Sequence, residues 1–437
     1  MLSYTGGFVP VSRRPRIFFG WYIVALTIIS MGLIYGVRNS FSVLFGPILD
    51  EFGWLRSSTA AMLSLNVLFY GLTAPLAGTL ADRWEPRKVT FIGAGILSLA
   101  TAVCYFAGEL WHFYLLFGLI VPIGTAFMGA PMLNPALINW FGKARGLAIG
   151  LGQIGGGLSF AYSFVVEAVL SAFNDWRPAF LVMGGTILAV VLPLYLWLYW
   201  FRPEDKGMQA YGTEARELAV TEESAAAQAA AAEPDWTFKG ALRTRNLWGL
   251  VLAQFFYWGI GNYLILAHQV KFATESGYSA VLATSVFALF GIVSIGGQLA
   301  ASISDKIGRE WTAMIGVALA IVAAVALLQV HGGTTAWLLY LYSVCSGFAT
   351  GLFTPQVFAG VGDLFHGRNI GAISALILTG LGVGGAIGPW LGGYIYDATG
   401  SYTIALYIVI GAYLAGGACF LLAAPRRAEA IRARLRA

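Results

Sequence analysis

GTLADRWEPRK (residues 78–88) follows one long apolar run of the chain, and ASISDKIGRE (residues 301–310) follows another. In both stretches an aspartate, Asp82 or Asp305, is followed directly by a basic residue. The two aspartates lie 223 residues apart, and the same offset relates Gly124 to Gly347 and Arg145 to Arg368. This repetition predicts that the chain consists of two similar halves.

The composition is that of a membrane protein. Of the 437 residues 58% are hydrophobic and only 11% are charged, and the mean hydropathy is +0.74. A soluble chain carries about 25% charged residues. Long apolar runs recur along the chain, each able to cross about 30 Å of hydrocarbon as a helix. The runs predict twelve spanning helices at 18–48, 57–80, 88–108, 111–140, 145–172, 178–200, 246–270, 279–303, 311–330, 335–361, 369–396 and 402–424.

The positions of the basic residues predict the orientation. Most Lys and Arg residues fall in the segments that share a side with both termini. The other side and the membrane share only Arg38, Arg56, Arg177 and Lys271. Because basic residues accumulate in cytoplasmic loops, we expect a multi-pass protein of the cell (inner, cytoplasmic) membrane with both termini in the cytoplasm.

A polar, alanine-rich stretch separates the sixth span from the seventh. It cannot span a membrane, and it has the composition of a linker. We therefore expect a six-helix bundle at 1–200, a cytoplasmic linker at 201–245 and a second six-helix bundle at 246–437.

The paired stretches resemble the signature of the major facilitator superfamily, in which a G-x-x-x-D-R-x-G-x-R-K pattern follows the second and eighth helices. Glu85 stands where a glycine is usual, and Ala301 replaces the glycine of the second copy. FFGWYIV (18–24), NWFGKARGLAIGLG (139–152), RPEDKG (202–207) and GPWLGGYIYDATGSY (388–402) resemble the monocarboxylate transporter and oxalate–formate antiporter branch. The resemblance implies an all-α fold of two pseudo-symmetric six-helix bundles around a central cavity. It also implies that the two bundles rock against each other, so that the cavity opens to one side of the membrane at a time.

The charged residues of the two motifs are candidates for a cytoplasmic gate. They would lie at helix ends, within reach of neighbouring charges and of the positive N-terminus of another helix. Contacts of this kind hold a gate shut and break when it opens; the alternative is a topology signal made of solvated charges. The candidates are Asp82, Arg83, Arg87, Asp305, Lys306 and Arg309.

Arg38 lies inside the first apolar run, roughly 8 Å from its midpoint. A charge at this depth is costly and is functional by default. Three interpretations stay open. Arg38 binds an anionic substrate, pairs with Glu167 of the fifth span, or extends to the headgroups beside Asn39. Tyr35 shares its helix face, which favours a cavity wall.

Other polar residues inside predicted spans are candidates for substrate binding. They share a position within an apolar helix, where a single Asn or Tyr also serves as a helix–helix hydrogen bond. The candidates are Asn66, Tyr70, Asn134, Asn262, Tyr342 and Gln356.

The function that these residues favour is secondary transport of a small organic anion. Members of the branch that the chain resembles often carry a basic residue in the eighth helix, and oxalate carriers carry another in the eleventh. The corresponding spans here hold no Lys or Arg, so the resemblance and the single arginine favour a monocarboxylate such as lactate or pyruvate. We expect proton symport, and the candidates for the coupling group are Glu167, His268 and the carboxylate of the substrate itself. The alternatives are carboxylate exchange, proton-driven export of apolar solutes and, outside transport, a non-transporting receptor.

The same residues predict no enzymatic activity. No cluster has the spacing of metal ligands, and no nucleotide-binding motif is present. We expect no cofactor, no metal and no nucleic-acid partner. The expected partners are the small anion, a proton and the lipid bilayer, and we expect the chain to function as a monomer.

Overall fold

The computed structural model describes residues 18–142, 144–212, 236–332, 335–365 and 370–423. In these ranges twelve helices are long and apolar enough to cross a membrane. In chain order they are α1 (Gly20–Phe52), α2 (Arg56–Leu80), α3 (Pro86–Phe106), α4 (Leu110–Trp140), α5 (Gly146–Phe173), α6 (Arg177–Leu198), α7 (Arg245–Glu275), α8 (Ala280–Ile307), α9 (Arg309–Leu328), α10 (Ala336–Leu364), α11 (Ile370–Thr399) and α12 (Thr403–Ala423).

The alternating helices define two faces of the molecule. The terminal face holds the start of α1 and the end of α12, where Asn246 donates a hydrogen bond to the carbonyl of Ala423. The opposite face holds the end of α1, the start of α2, the end of α7 and the turn between α11 and α12. The two halves of the chain, α1–α6 and α7–α12, meet along the axis between these faces.

Two pairs of helices form most of the contact between the halves. α2 packs against α11, and α5 packs against α8. Moving each helix six places along the chain exchanges one pair for the other, so the two contacts are related by the internal repeat. Glycine permits the close approach in both: a Cβ on Gly71 would lie 2.9 Å from the Cα of Gly382, and one on Gly157 would lie 2.7 Å from the carbonyl oxygen of Gly291.

Three helices depart from regular α geometry near one region of the interior. α1 is interrupted at Ser40, α4 is interrupted at Gly129, and α7 contains a π-helical segment at Phe255–Asn262. Such irregularities free or shift backbone groups, and inside a membrane they are tolerated where protein groups or a cavity satisfy those groups. They adjoin Arg38, Ala130 and Tyr263, which belong to the site described below.

The predicted fold is confirmed, with twelve helices in two six-helix bundles around a central axis. Several helices end later than predicted, among them α1, α7 and α8. α1 continues to Phe52 and α7 continues to Glu275, because both extend past their apolar runs into charged turns. As a result Asp50, Lys271 and Glu275 lie on helices rather than in loops.

Candidate functional site

Arg38 lies in the last turn of the first segment of α1, just before the interruption at Ser40. Only 8% of the residue is exposed. Its Nε and Nη1 atoms are buried and have no hydrogen-bond partner. A buried donor without an acceptor costs about 1–3 kcal/mol, and more when it is charged. Arg38 is thus a buried cation with unused donors.

Three tyrosine rings surround the guanidinium of Arg38. Its central carbon lies 5.1 Å from the ring centres of Tyr35 and Tyr70 and 5.9 Å from that of Tyr263. Cation–π attraction across such distances is worth about 0.5–2 kcal/mol, which offsets part of the cost of burial. Tyr35 and Tyr70 belong to the first half, and Tyr263 belongs to α7 of the second. We call these three tyrosines the tyrosine cage; it is built by both halves.

The hydroxyl groups of Tyr35 and Tyr70 leave one proton unassigned. The Tyr35 and Tyr70 oxygens lie 2.8 Å apart, and the Tyr35 oxygen also accepts a hydrogen bond from the Ala130 amide at 3.2 Å. That amide is available because α4 is interrupted at Gly129. Two hydroxyls that share one mutual hydrogen bond have one further O–H to donate. The cage therefore offers a neutral donor near the cationic donors of Arg38.

Glu167 does not pair with Arg38. Its carboxylate accepts hydrogen bonds from Ser171 at 3.3 Å and, across the two halves, from Thr284 of α8 at 3.4 Å. Extension of Arg38 to the headgroups is not what the structure shows either, because both halves enclose its guanidinium. Asn39 donates instead to Ser159 of α5 at 2.7 Å. Neither of these two interpretations of Arg38 matches the structure, and an anion site stays a prediction.

The remaining predicted substrate residues do not gather around the tyrosine cage. Asn66 donates to the carbonyl of Phe117 at 2.7 Å, within the first half. Asn134 accepts from Gln153 at 3.2 Å, which links α4 to α5. Both amides join neighbouring helices of the same bundle.

The predicted residues of the second half are used in the same way. Asn262 donates to Thr350 at 3.3 Å. The hydroxyl of Tyr342 donates to Gln269 at 3.0 Å, and the Gln356 amide donates to the carbonyl of Ala301 at 3.2 Å. These contacts lie inside the second bundle, so we leave these residues out of the proposed substrate site.

Of the candidate gate residues at the terminal face, Arg87, Asp305 and Arg309 have contacts within their own half. Arg87 donates to the carbonyl of Leu196 and lies over the Trp200 ring. Arg309 pairs with Asp363 and lies 3.7 Å from Asp305. Lys306 is exposed, and the side chains of Asp82 and Arg83 lie outside the described part of the structure. A cytoplasmic gate at these residues stays a prediction.

Charged groups join the halves at the opposite face. Arg56, at the start of α2, pairs with Glu275 at the end of α7 and donates to the Tyr402 hydroxyl at 2.9 Å. Lys271 donates to both oxygens of Asp50 in α1, at 2.6 and 2.7 Å. The polar contacts between the halves that the structure describes lie in the part of the molecule between Gly71, in the middle of α2, and this face. The opposite face is therefore closed.

This network of ion pairs was not predicted from the sequence, although a signal was present. Arg56 and Lys271 were assigned only to the less basic side of the membrane. Yet the ends of α1 and α7, which are equivalent in the repeat, carry opposite charges at Asp50 and Lys271. Opposite charges at equivalent helix ends are what a contact between two halves requires.

His268 takes part in the closure of the opposite face. Its Nε2 lies 2.9 Å from the carbonyl of Pro389, and its Nδ1 lies 3.1 Å from the Tyr402 hydroxyl. A carbonyl only accepts, so Nε2 carries the hydrogen and Nδ1 accepts from Tyr402. Burial raises the pKa of the Tyr402 phenol, which keeps its proton for this bond. In the closed face both ring nitrogens of His268 are thus engaged in hydrogen-bond contacts.

A recess of about 740 Å³ lies between α1, α5 and α7 at the opposite face, beside the ion pairs that close it. Its wall includes Asp50, Lys271 and Glu167. Glu167 therefore contacts both halves and adjoins the space that separates them.

A family model and several known transporters match most of the chain. The model of the Major Facilitator Superfamily matches residues 27–340 and 298–436. "Monocarboxylate transporter 13" of Rattus norvegicus is 27% identical over 415 residues, which cover 93% of this chain and 89% of that protein. "Probable sulfoacetate transporter SauU" of Cupriavidus necator is 27% identical over 398 residues, which cover 88% and 89%.

Among solved structures, a bacterial homologue of the human lysosomal transporter Spinster, in an inward-facing and occupied conformation, has a similar fold. The TM-score is 0.69 with 17% identity, and the match covers 94% of this chain and 98% of that one. At this identity the likeness concerns the fold alone.

Proposed function

The chain belongs to the Major Facilitator Superfamily. We propose that it is a transporter of the monocarboxylate branch and that it moves a small organic anion with Arg38 as the anchor. The observation that carries this proposal is the buried guanidinium of Arg38, whose Nε and Nη1 lack an acceptor inside a cage of tyrosines. A carboxylate satisfies such donors in pairs, with charge-assisted hydrogen bonds.

The charge of the site favours a monoanion. Arg38 and Arg56 are the arginines that the structure describes as buried, and Arg56 is already neutralised by Glu275. One uncompensated positive charge matches one carboxylate, as in lactate or pyruvate. The additional O–H of the tyrosine cage suits a second, neutral oxygen on the same molecule. One relative is named as a probable sulfoacetate transporter. Sulfoacetate, which has two acidic groups, is therefore the substrate to compare with the monoanions in an uptake assay.

The arrangement of the site fits a rocking motion between two halves. Tyr35 and Tyr70 lie on one half and Tyr263 on the other, so a bound anion would contact both. The opposite face is closed by Arg56–Glu275 and Lys271–Asp50. We place the terminal face in the cytoplasm of the cell, on the distribution of basic residues, and assign the described conformation as inward-facing.

Proton symport completes the proposed cycle. Glu167 suits this role better than His268, because it contacts both halves and lines the recess of the opposite face. His268 has both nitrogens engaged while that face is closed. Carboxylate exchange without a proton is the second candidate. The buried cation of the site disfavours export of apolar solutes. The ion pairs between the halves, which can form and break during a rocking motion, disfavour a non-transporting receptor.

Uptake of labelled lactate, pyruvate, formate, oxalate and sulfoacetate into proteoliposomes tests this proposal. It is measured with and without a pH gradient for wild type, Arg38→Gln and Arg245→Gln, whose arginine is exposed at the terminal face. We expect uptake of a monoanion by wild type and Arg245→Gln and loss of uptake in folded Arg38→Gln. Transport of the same acid at the wild-type rate by Arg38→Gln would refute the anchor. Failure of wild type to move any acid would refute the substrate class.

A further inference from the structure

The helix α2 lacks an N-terminal cap of its own. Leu55 occupies the cap position, with φ −64° and ψ 145°, and its side chain cannot accept a hydrogen bond. The first turn of the helix contains no acidic residue. The first N–H groups of a helix have no partner within it and need one from elsewhere.

The cap is supplied by Asp397, near the end of α11 in the other half. One carboxylate oxygen accepts from the Arg56 amide at 3.0 Å. The second accepts from the Ser57 amide at 2.9 Å and from the Ser57 hydroxyl at 2.6 Å. A carboxylate at a helix N-terminus also interacts favourably with the helix dipole.

The backbone of α11 lies directly against the start of α2, which brings Asp397 into place. A Cβ on Gly393, one turn before Asp397, would lie 2.5 Å from the Ser57 nitrogen. The side chain of the capped residue, Arg56, lies 3.4 Å above the ring of Tyr396, next to Asp397 in sequence. The cap from Asp397 and the ion pair with Glu275 therefore both involve Arg56, and both require that the two halves touch at the opposite face.

We propose that Asp397 is a positioning residue that favours closure of the opposite face, by capping α2 only while the two halves touch there. The inference rests on the proposed alternating access. When the face opens, Asp397 moves away with the second half, and α2 loses its cap at the moment Arg56 loses Glu275. The closed face is then the resting state because a helix of one half is completed by a carboxylate of the other.

The size of the effect follows from the usual value of an N-cap. Its removal changes an equilibrium by about 2- to 30-fold. Removing the cap from the closed state should raise the population of the open face by the same factor. A cap within α2 itself should also raise the population of the open face, because it would stabilise the open state, which otherwise has no cap. Leu55→Asp does this, because Leu55 is 62% exposed and has the backbone angles of a cap residue.

Opening can be followed by the reactivity of a cysteine at position 42. Ser42 is buried in α1, and its hydroxyl has no hydrogen-bond partner, so Ser42→Cys exchanges it for a thiol without loss of a contact. The three native cysteines, Cys104, Cys345 and Cys419, are first replaced by alanine. A membrane-impermeant thiosulfonate is then added at the opposite face of the full chain in proteoliposomes. The labelling rate is proportional to the open fraction.

We expect Asp397→Ala, Leu55→Asp and the double variant to label about 2- to 30-fold faster than the parent. Asp397→Ala alone should lower the melting temperature, and Leu55→Asp should restore it in the double variant. An unchanged rate in Asp397→Ala or in Leu55→Asp would overturn the proposal, as would a double variant that returns to the parent rate. Anion uptake measured in parallel reports separately on the proposed function, because the labelling rate requires no substrate.

Discussion

Replacing Arg38 by lysine separates the charge of this side chain from its shape. Lysine keeps the positive charge but presents one ammonium in place of a planar fork, and it stacks less well on aromatic rings. Arg38 has two buried nitrogens without acceptors, Nε and Nη1. If a carboxylate uses the fork, the lysine variant loses at least one charge-assisted hydrogen bond, worth about 1.5–3 kcal/mol.

That loss corresponds to about a 10- to 160-fold increase in the half-saturation concentration for uptake. The assay is concentration-dependent uptake of the preferred monocarboxylate in proteoliposomes, with protein content and orientation determined for each variant. Arg245→Lys, an exposed arginine at the terminal face, is the matched control and should behave as wild type. A lysine variant with the wild-type half-saturation concentration would refute the reasoning, because charge alone would then suffice.

Three further perturbations test neighbouring parts of the account. Tyr35→Phe and Tyr70→Phe should each raise the half-saturation concentration by less than about threefold, because one free O–H remains in either variant. The double variant should raise it by about tenfold or more. Additive effects of the two substitutions in this double-mutant cycle would contradict a shared proton. Glu167→Gln should abolish stimulation of uptake by a pH gradient and keep exchange of substrate, and a gradient response equal to wild type would exclude Glu167 as the proton site. Gly71→Leu should destabilise the protein by about 1–3 kcal/mol and slow transport, because a side chain there meets α11. A Cβ on Gly95 of α3 meets no atom within 4 Å, so Gly95→Leu is the control that should leave the melting temperature and uptake unchanged.

The sequence predicted the fold well because the signals are strong and local. Twelve apolar runs and a motif repeated at Asp82 and Asp305 define helices and halves without reference to side-chain packing. Helix ends were predicted less well. α1 and α7 continue through charged residues such as Asp50 and Lys271, whose partners on the other half allow them to lie on a helix at the edge of the membrane.

The candidate site was predicted only in part. Arg38 and Tyr35 share a helix face and Tyr70 lies on a polar stripe, so all three were accessible from sequence. Tyr263 was not, because it reaches the guanidinium only once the two halves dock. The contacts of Arg56 with Glu275 and Asp397 span 219 and 341 residues, and a single sequence contains no measure of such proximity.

The central claim, that Arg38 anchors an anionic substrate, is tested most directly by equilibrium binding. Purified wild type and Arg38→Gln in lipid nanodiscs are titrated with the labelled monocarboxylate that wild type transports, under conditions where both variants melt at the same temperature. The account predicts saturable binding to wild type and at least about 100-fold weaker binding to Arg38→Gln, since two charge-assisted hydrogen bonds are lost. Binding of equal affinity to both proteins would contradict it.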